Sequence, residues 1–191
     1  MQCRWAVLVV LIALAAASAD AAPTNTPIQE GYITVLNGQS QGQIDGEDTT
    51  PDGGDASAIE VQAYSHHIFR NVNLANGLPS GSLNHRPYTF VKERDVTSVR
   101  LYEALSDGET FIEIRIKFYQ ESDIGVVTPF FTVKLEDAYI SSIRSWQPNA
   151  NDPAAKYYVH AEEISVVYQD ITWTHEDGSD TFMDSWSTPD P

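Results

Sequence analysis

The chain has 191 residues, with 11 Lys and Arg against 27 Asp and Glu, a single Cys and a formal charge of −16. This length, with 42% hydrophobic residues, suits one packed core rather than two ordinary domains. An acidic excess of this size argues against nucleic-acid binding, which needs a basic footprint, and against docking on an anionic membrane.

The first 21 residues read as a secretory signal peptide. Arg4 supplies the positive start, residues 6–17 form an apolar run, and Ala19-Asp20-Ala21 gives a small-x-small cleavage site. The run is shorter than the roughly 20 residues needed to span a bilayer. The expected destination is therefore secreted, extracellular or periplasmic, with no membrane attachment after cleavage. Residues 22–191 contain no Cys, which removes disulfides, thiolate-zinc sites and Cys catalysis from consideration.

Along the chain, residues 22–29 read as an extended leader, followed by a strand over 31–36 that ends at the turn signal Asn37-Gly38. Residues 39–57 are rich in Gly, Asp and Thr and read as an acidic loop. Ile59, Val61 and Ala63 alternate with polar positions, as in a half-buried strand. Residues 69–86, with Gly77, Pro79 and Gly81, read as a long connection of a length that is often functional. Extended structure resumes over 88–93. The spacing of Leu101, Tyr102 and Leu105 then predicts one short helix, capped by Thr97 or Ser98 and closed by Gly108.

The second half alternates most regularly. Ile112, Ile114, Ile116 and Phe118 share one predicted strand face, and Phe131, Val133 and Leu135 another. Strands over 139–143, 164–168 and 171–174 follow, with a bulge or bend at Gln169-Asp170. The pattern predicts an all-β barrel or sandwich with one short helix. Acid is concentrated at the periphery, as Asp45, Glu47, Asp48, Asp52 and Asp55 in the loop and Glu176, Asp177, Asp180, Asp184 and Asp190 in the tail.

Nothing in the chain carries a catalytic motif, whether a G-x-S-x-G elbow, H-E-x-x-H or a phosphate-binding glycine loop. No catalytic residue, metal ligand or cofactor is expected. The acidic loop has oxygen-rich, Gly-bent stretches, but their spacing departs from a calcium loop and a solvated loop is the preferred reading. His66 and His67 point to opposite strand faces, and Glu162-Glu163 and Glu136-Asp137 likewise face apart. Trp146, Trp173, Trp186, Tyr157, Tyr158 and Tyr168 fit a sugar-binding face or, more simply, a β core.

Five ordered stretches carry a resemblance. His85-Arg86-Pro87, the strand from Tyr88, and Lys92-Glu93-Arg94-Asp95 are similar to an H-x-P, strand, K-E-x-D signature. A helix from Ser98 follows. Leu135-Glu136-Asp137 with Ile140-Ser141-Ser142 matches an L-E-D, I-S-S segment. The hairpin around Trp173 and the pair Asp184, Trp186 match a closing hairpin and a terminal acidic-Trp motif. Together, over about residues 30–187, the chain resembles the Hcp family, the haemolysin-coregulated tube proteins of type VI secretion. It departs from the family in Ser98-Val99, where Ser-Pro is common, in the length of the acidic loop and in the signal peptide.

The resemblance implies a β-barrel of about seven to nine strands that self-assembles into hexameric rings. Rings that stack into a tube, effector cargo in the lumen and a spike protein are the further partners it implies. The 69–86 connection corresponds to the loop that reaches a neighbouring ring. Assembly candidates by this resemblance are His85, Pro87, Lys92, Glu93, Asp95, Leu135, Glu136, Asp137, Trp173, Asp184 and Trp186. Loss of Trp173 or of residues 76–86 is expected to weaken assembly more than folding. The competing reading is a monomeric secreted β-sandwich module that binds glycan or protein.

Overall fold

The computed structural model describes residues 29–122, 124–147, 149, 160–178 and 180–186. The signal peptide, most of the leader and the segment 187–191 lie outside the described residues. Alternating apolar residues produce the strands β1 (Gln29–Gly38), β7 (Tyr88–Glu93), β8 (Phe111–Glu121), β9 (Val127–Trp146) and β10 (Ala161–Val167), which pair in the order β1-β8-β9-β10-β7. Two short strands, β3 (Ile59–Val61) and β4 (Ala63–Ser65), belong to one extended stretch that changes partner at Gln62. β3 pairs with β1 and β4 with β7, so the same stretch of chain ties the two margins of the curved sheet. β2 (Gly42–Gln43) lies on the outer side of β1.

The 20-residue β9 serves two walls. Its first half pairs with β8 and with β11 (Asp170–His175), and from Tyr139 onward it pairs with β10. Asp137 sits at the handover with φ 47°, a left-handed conformation that Asp tolerates better than most residues. β10 and β11 together run against β9, interrupted at Tyr168-Gln169, one residue before the bend expected at Gln169-Asp170, because Asp170 already pairs with Glu136. β12 (Asp180–Ser185) adds to the outside of β11, so the acidic tail is partly strand.

Ile33, Leu36, Phe90, Phe111, Ile114, Ile116, Leu135, Ile164, Val166 and Ile171 fill the interior. Each fully buried large side chain of this kind contributes about 1.5–3 kcal/mol. One inward position departs from the sequence pattern. Ile112 is half exposed and Phe111 is buried instead, at the point where the pairing of β8 with β1 shifts register between Asn37 and Gly38.

The helix α1 (Ser98–Asp107) packs Leu101 and Ala104 onto β9 and stops at Gly108, whose φ of 66° suits glycine. Its start differs from expectation. Thr97 makes no capping bond with its side chain. Instead the Asp95 carboxylate accepts the Thr97 N–H at 2.8 Å and its hydroxyl at 2.6 Å. The long connection is also corrected. Residues 68–85 form a separate two-stranded hairpin, β5 (Ile68–Val72) with β6 (Pro79–His85). A register shift opposite Arg70 and Asn71 spreads over Gly81, with φ 75°, and breaks the alternation by which the sequence would have betrayed the strands.

The acidic loop spends its carboxylates locally. Asp52 accepts the Gly54 N–H at 3.0 Å, Asp55 the Ser57 N–H at 2.9 Å, and Asp48 the Glu60 N–H at 2.8 Å. Among the described residues, no group of three or more His, Cys, Asp or Glu is placed to hold a metal ion.

Candidate functional site

The projecting hairpin is the part of the molecule with least support from its own chain. Its two strands pair only with each other. The turn is made by Asn73 and Asn76, whose side-chain carbonyls accept the N–H groups of Ala75 at 2.9 Å and Leu78 at 3.0 Å. Between these asparagines the chain presents Leu74, 96% exposed, with Leu78 and Val72 more than half exposed nearby. Burying even one such side chain against a partner is favourable.

The root of the hairpin is held firmly. His66, just before β5, and His85, at the end of β6, both face the Tyr168 hydroxyl, at 2.7 and 3.0 Å. The other ring nitrogen of His85, Nε2, lies 3.3 Å from the Asp184 carboxylate. The Tyr168 hydroxyl thus bridges the two imidazoles, and His85 continues the run to the Asp184 carboxylate.

Trp186 stacks on His85 at 5.8 Å between centroids and meets Tyr168 edge-on at 5.2 Å. Burial, with His85 and His67 nearby, pulls the His66 imidazole down to about 4, and burial followed by the Asp184 charge raises the Tyr168 phenol.

A second buried network joins the helix to the barrel. Lys92 and Glu162 face each other across β7 and β10, and both are fully buried. The Lys92 ammonium donates to Asp95 at 2.7 Å and to the Glu93 carbonyl at 2.6 Å, and lies 3.7 Å from Glu162. Ser98 donates to Glu162 at 2.7 Å and Arg94 at 3.2 Å. Two cations and two carboxylates cancel within this network.

The structure brings the assembly candidates into these two groups, with some left between. His85, Asp184 and Trp186 meet at the hairpin root, with Pro87 beside them in sequence at the entry to β7. Lys92, Asp95 and the carbonyl of Glu93 meet at the helix start. Trp173 is half-buried between His66 and Phe182. Glu136 pairs with Lys134 at 2.9 Å, and Asp137 is the pivot of β9. Lys92 and Leu135 have no exposed surface and act inside the subunit rather than on a neighbour. His66, Tyr168 and Glu162 are central and absent from the sequence-based candidates. Glu162 was legible, since it shares its strand face with Ile164 and Val166.

These features define a class, an all-β subunit that presents a rooted, uncovered hairpin, and comparison with known proteins gives the family. Residues 32–175 match the family model described as "Type VI secretion system effector, Hcp". The chain is 32% identical over 136 residues to the "Major exported protein" of Pseudomonas aeruginosa, covering 71% of this chain and 79% of that protein. Among solved structures, one described as "Crystal structure of Hcp protein" superposes with a TM-score of 0.76 at 27% identity, covering 84% of this chain and 99% of the other. A mutant of Hcp1 from the E. coli EAEC 042 pathovar gives 0.71 at 28% identity, covering 83% and 99%. The chain belongs to the Hcp family of type VI secretion proteins.

Proposed function

We propose that this protein is an exported structural subunit that self-assembles into hexameric rings, that the rings stack, and that the lumen holds effector cargo, with no catalytic step. The observation that carries the reading is the hairpin 68–85. It combines a root locked by buried hydrogen bonds with a tip whose Leu74 has no intrachain cover. Such a tip is built to be buried by something else, and family membership makes another copy the natural partner. Export is supported by the tripartite pattern of residues 1–21 and by the name of the Pseudomonas relative.

The test is negative-stain electron microscopy of the purified protein at near-physiological salt, beside a variant in which residues 73–78 are replaced by Asn-Gly. Six-membered rings or tubes for the parent, reduced in the variant, are expected. The excision stops short of His85 so that the root survives. Uniform small particles from the parent would overturn the reading in favour of a monomeric binding module.

A further inference from the structure

The subunit carries −16, so two copies repel wherever acidic surfaces meet, and contact is easiest between neutral surfaces. Residues 71–84 contain no charged side chain, and 71–82 are all exposed. A neutral counterpart exists on the barrel. A groove of about 530 Å³ runs beside Gly31 and Ala63 and is walled by Tyr64, Phe118, Phe130 and Phe131, with no charged residue in its lining.

The sequence explains the concentration of rings. Pro129 pairs with Tyr119 while Phe131 pairs with Phe118, so Phe130 is an extra residue in the ladder, and two consecutive phenylalanines reach the same groove. The competing apolar surfaces carry acid. Exposed Phe182 and Met183 lie between Asp180 and Asp184, and the groove beside Tyr139 and Trp186 includes Asp137.

The geometry points to the aromatic groove of one copy as the seat for the hairpin tip of another, with Leu74 entering between Tyr64 and Phe130. This rests on the reading that copies assemble, and it deepens that reading by naming the receiving surface. A leucine on a two-stranded arm supplies an apolar knob of modest size, and the groove supplies aromatic walls without a charge to desolvate.

Mixed-disulfide trapping tests it in the full chain with Cys3→Ser, which leaves no native thiol. Two preparations, one with Leu74→Cys and one with Ala63→Cys, carry different tags and are mixed, so a disulfide joining both tags is necessarily intermolecular. Both positions are exposed, and neither change touches the core. The control pair is Leu74→Cys with Ser141→Cys, also exposed. Assembly of each mixture is followed in parallel by sedimentation velocity.

We expect at least tenfold more doubly tagged dimer than in the control. Assembly without that excess would overturn the groove assignment while leaving self-assembly intact. Absence of any assembly would overturn both.

Discussion

The two buried polar networks of this subunit solve the same problem with different chemistry. At the helix start, Lys92, Arg94, Asp95 and Glu162 are held by mutual charge. At the hairpin root, His66, Tyr168 and His85 form a hydrogen-bonded relay that ends on Asp184. The first network is least tolerant of losing Lys92 or Glu162, since each is fully buried and faces the other. The second loses less on deletion, and burial holds its His66 imidazole below the ordinary range. Fixed charge secures the helix on the barrel, and histidines secure the hairpin.

The largest expected effect breaks the ionic network. Lys92→Ala leaves Glu162 buried opposite an empty space and should destabilise the subunit by about 3–5 kcal/mol in urea unfolding. The pair Lys92→Met with Glu162→Leu removes both charges and should recover most of that loss; a double variant as weak as the single would mean that shape, rather than charge, holds the site.

Next in size is the pH response of the relay. The folded pKa of His66, about 4, lies below the ordinary 6.5. Between these values the unfolded chain binds the proton and the folded one does not, so stability falls as pH drops from 6.5 toward 4. The group accounts for about 2–3 kcal/mol over that window. Unfolding free energies at pH 7 and 4.5 should differ less in His66→Gln, which keeps a neutral hydrogen-bonding group beside Tyr168, than in the parent.

Tyr168→Phe removes only the shared hydroxyl and should cost about 1–3 kcal/mol, with the melting temperature as readout and loosening concentrated at the hairpin by hydrogen exchange. Smallest is Gly108→Ala, outside both networks, at about 1 kcal/mol for a side chain forced to φ 66°. These last two separate a local turn cost from the loss of a connection between distant segments.

Much of the barrel was legible because its signal is periodic. Strands β7, β8 and β10 follow from alternation, and the helix end follows from Gly108. The same parity also exposes the ionic network, since Lys92 continues the inward face of Tyr88 and Phe90, and Glu162 that of Ile164 and Val166. Reading Glu162-Glu163 as neighbours facing apart was right about geometry but left open which of the two was inside.

The hairpin was read as a connection because its bulge at Gly81 destroys the period of two. The relay had no periodic signal: the resemblance singled out His85, Asp184 and Trp186, but nothing in the sequence joined them to His66 and Tyr168. Its contacts join residues 83 and 102 positions apart, and Tyr168 and Trp186 lie just beyond strand ends, where periodicity no longer constrains a side chain. Phe130 shows the same limit, because an extra residue in a ladder is defined by the partner strand.

The separation of the relay residues also sets an order of events. His66 and His85 cannot be fixed until Tyr168, Asp184 and Trp186 are in place, and those residues are made about 80 to 120 positions later. Contacts between distant residues form slowly, because the intervening chain must first be closed. While the chain is being made, the hairpin residues exist without their root. Only a completed barrel points the tip in one direction. If copies meet through the hairpin as proposed, a rooted tip is presented only once the body behind it is complete.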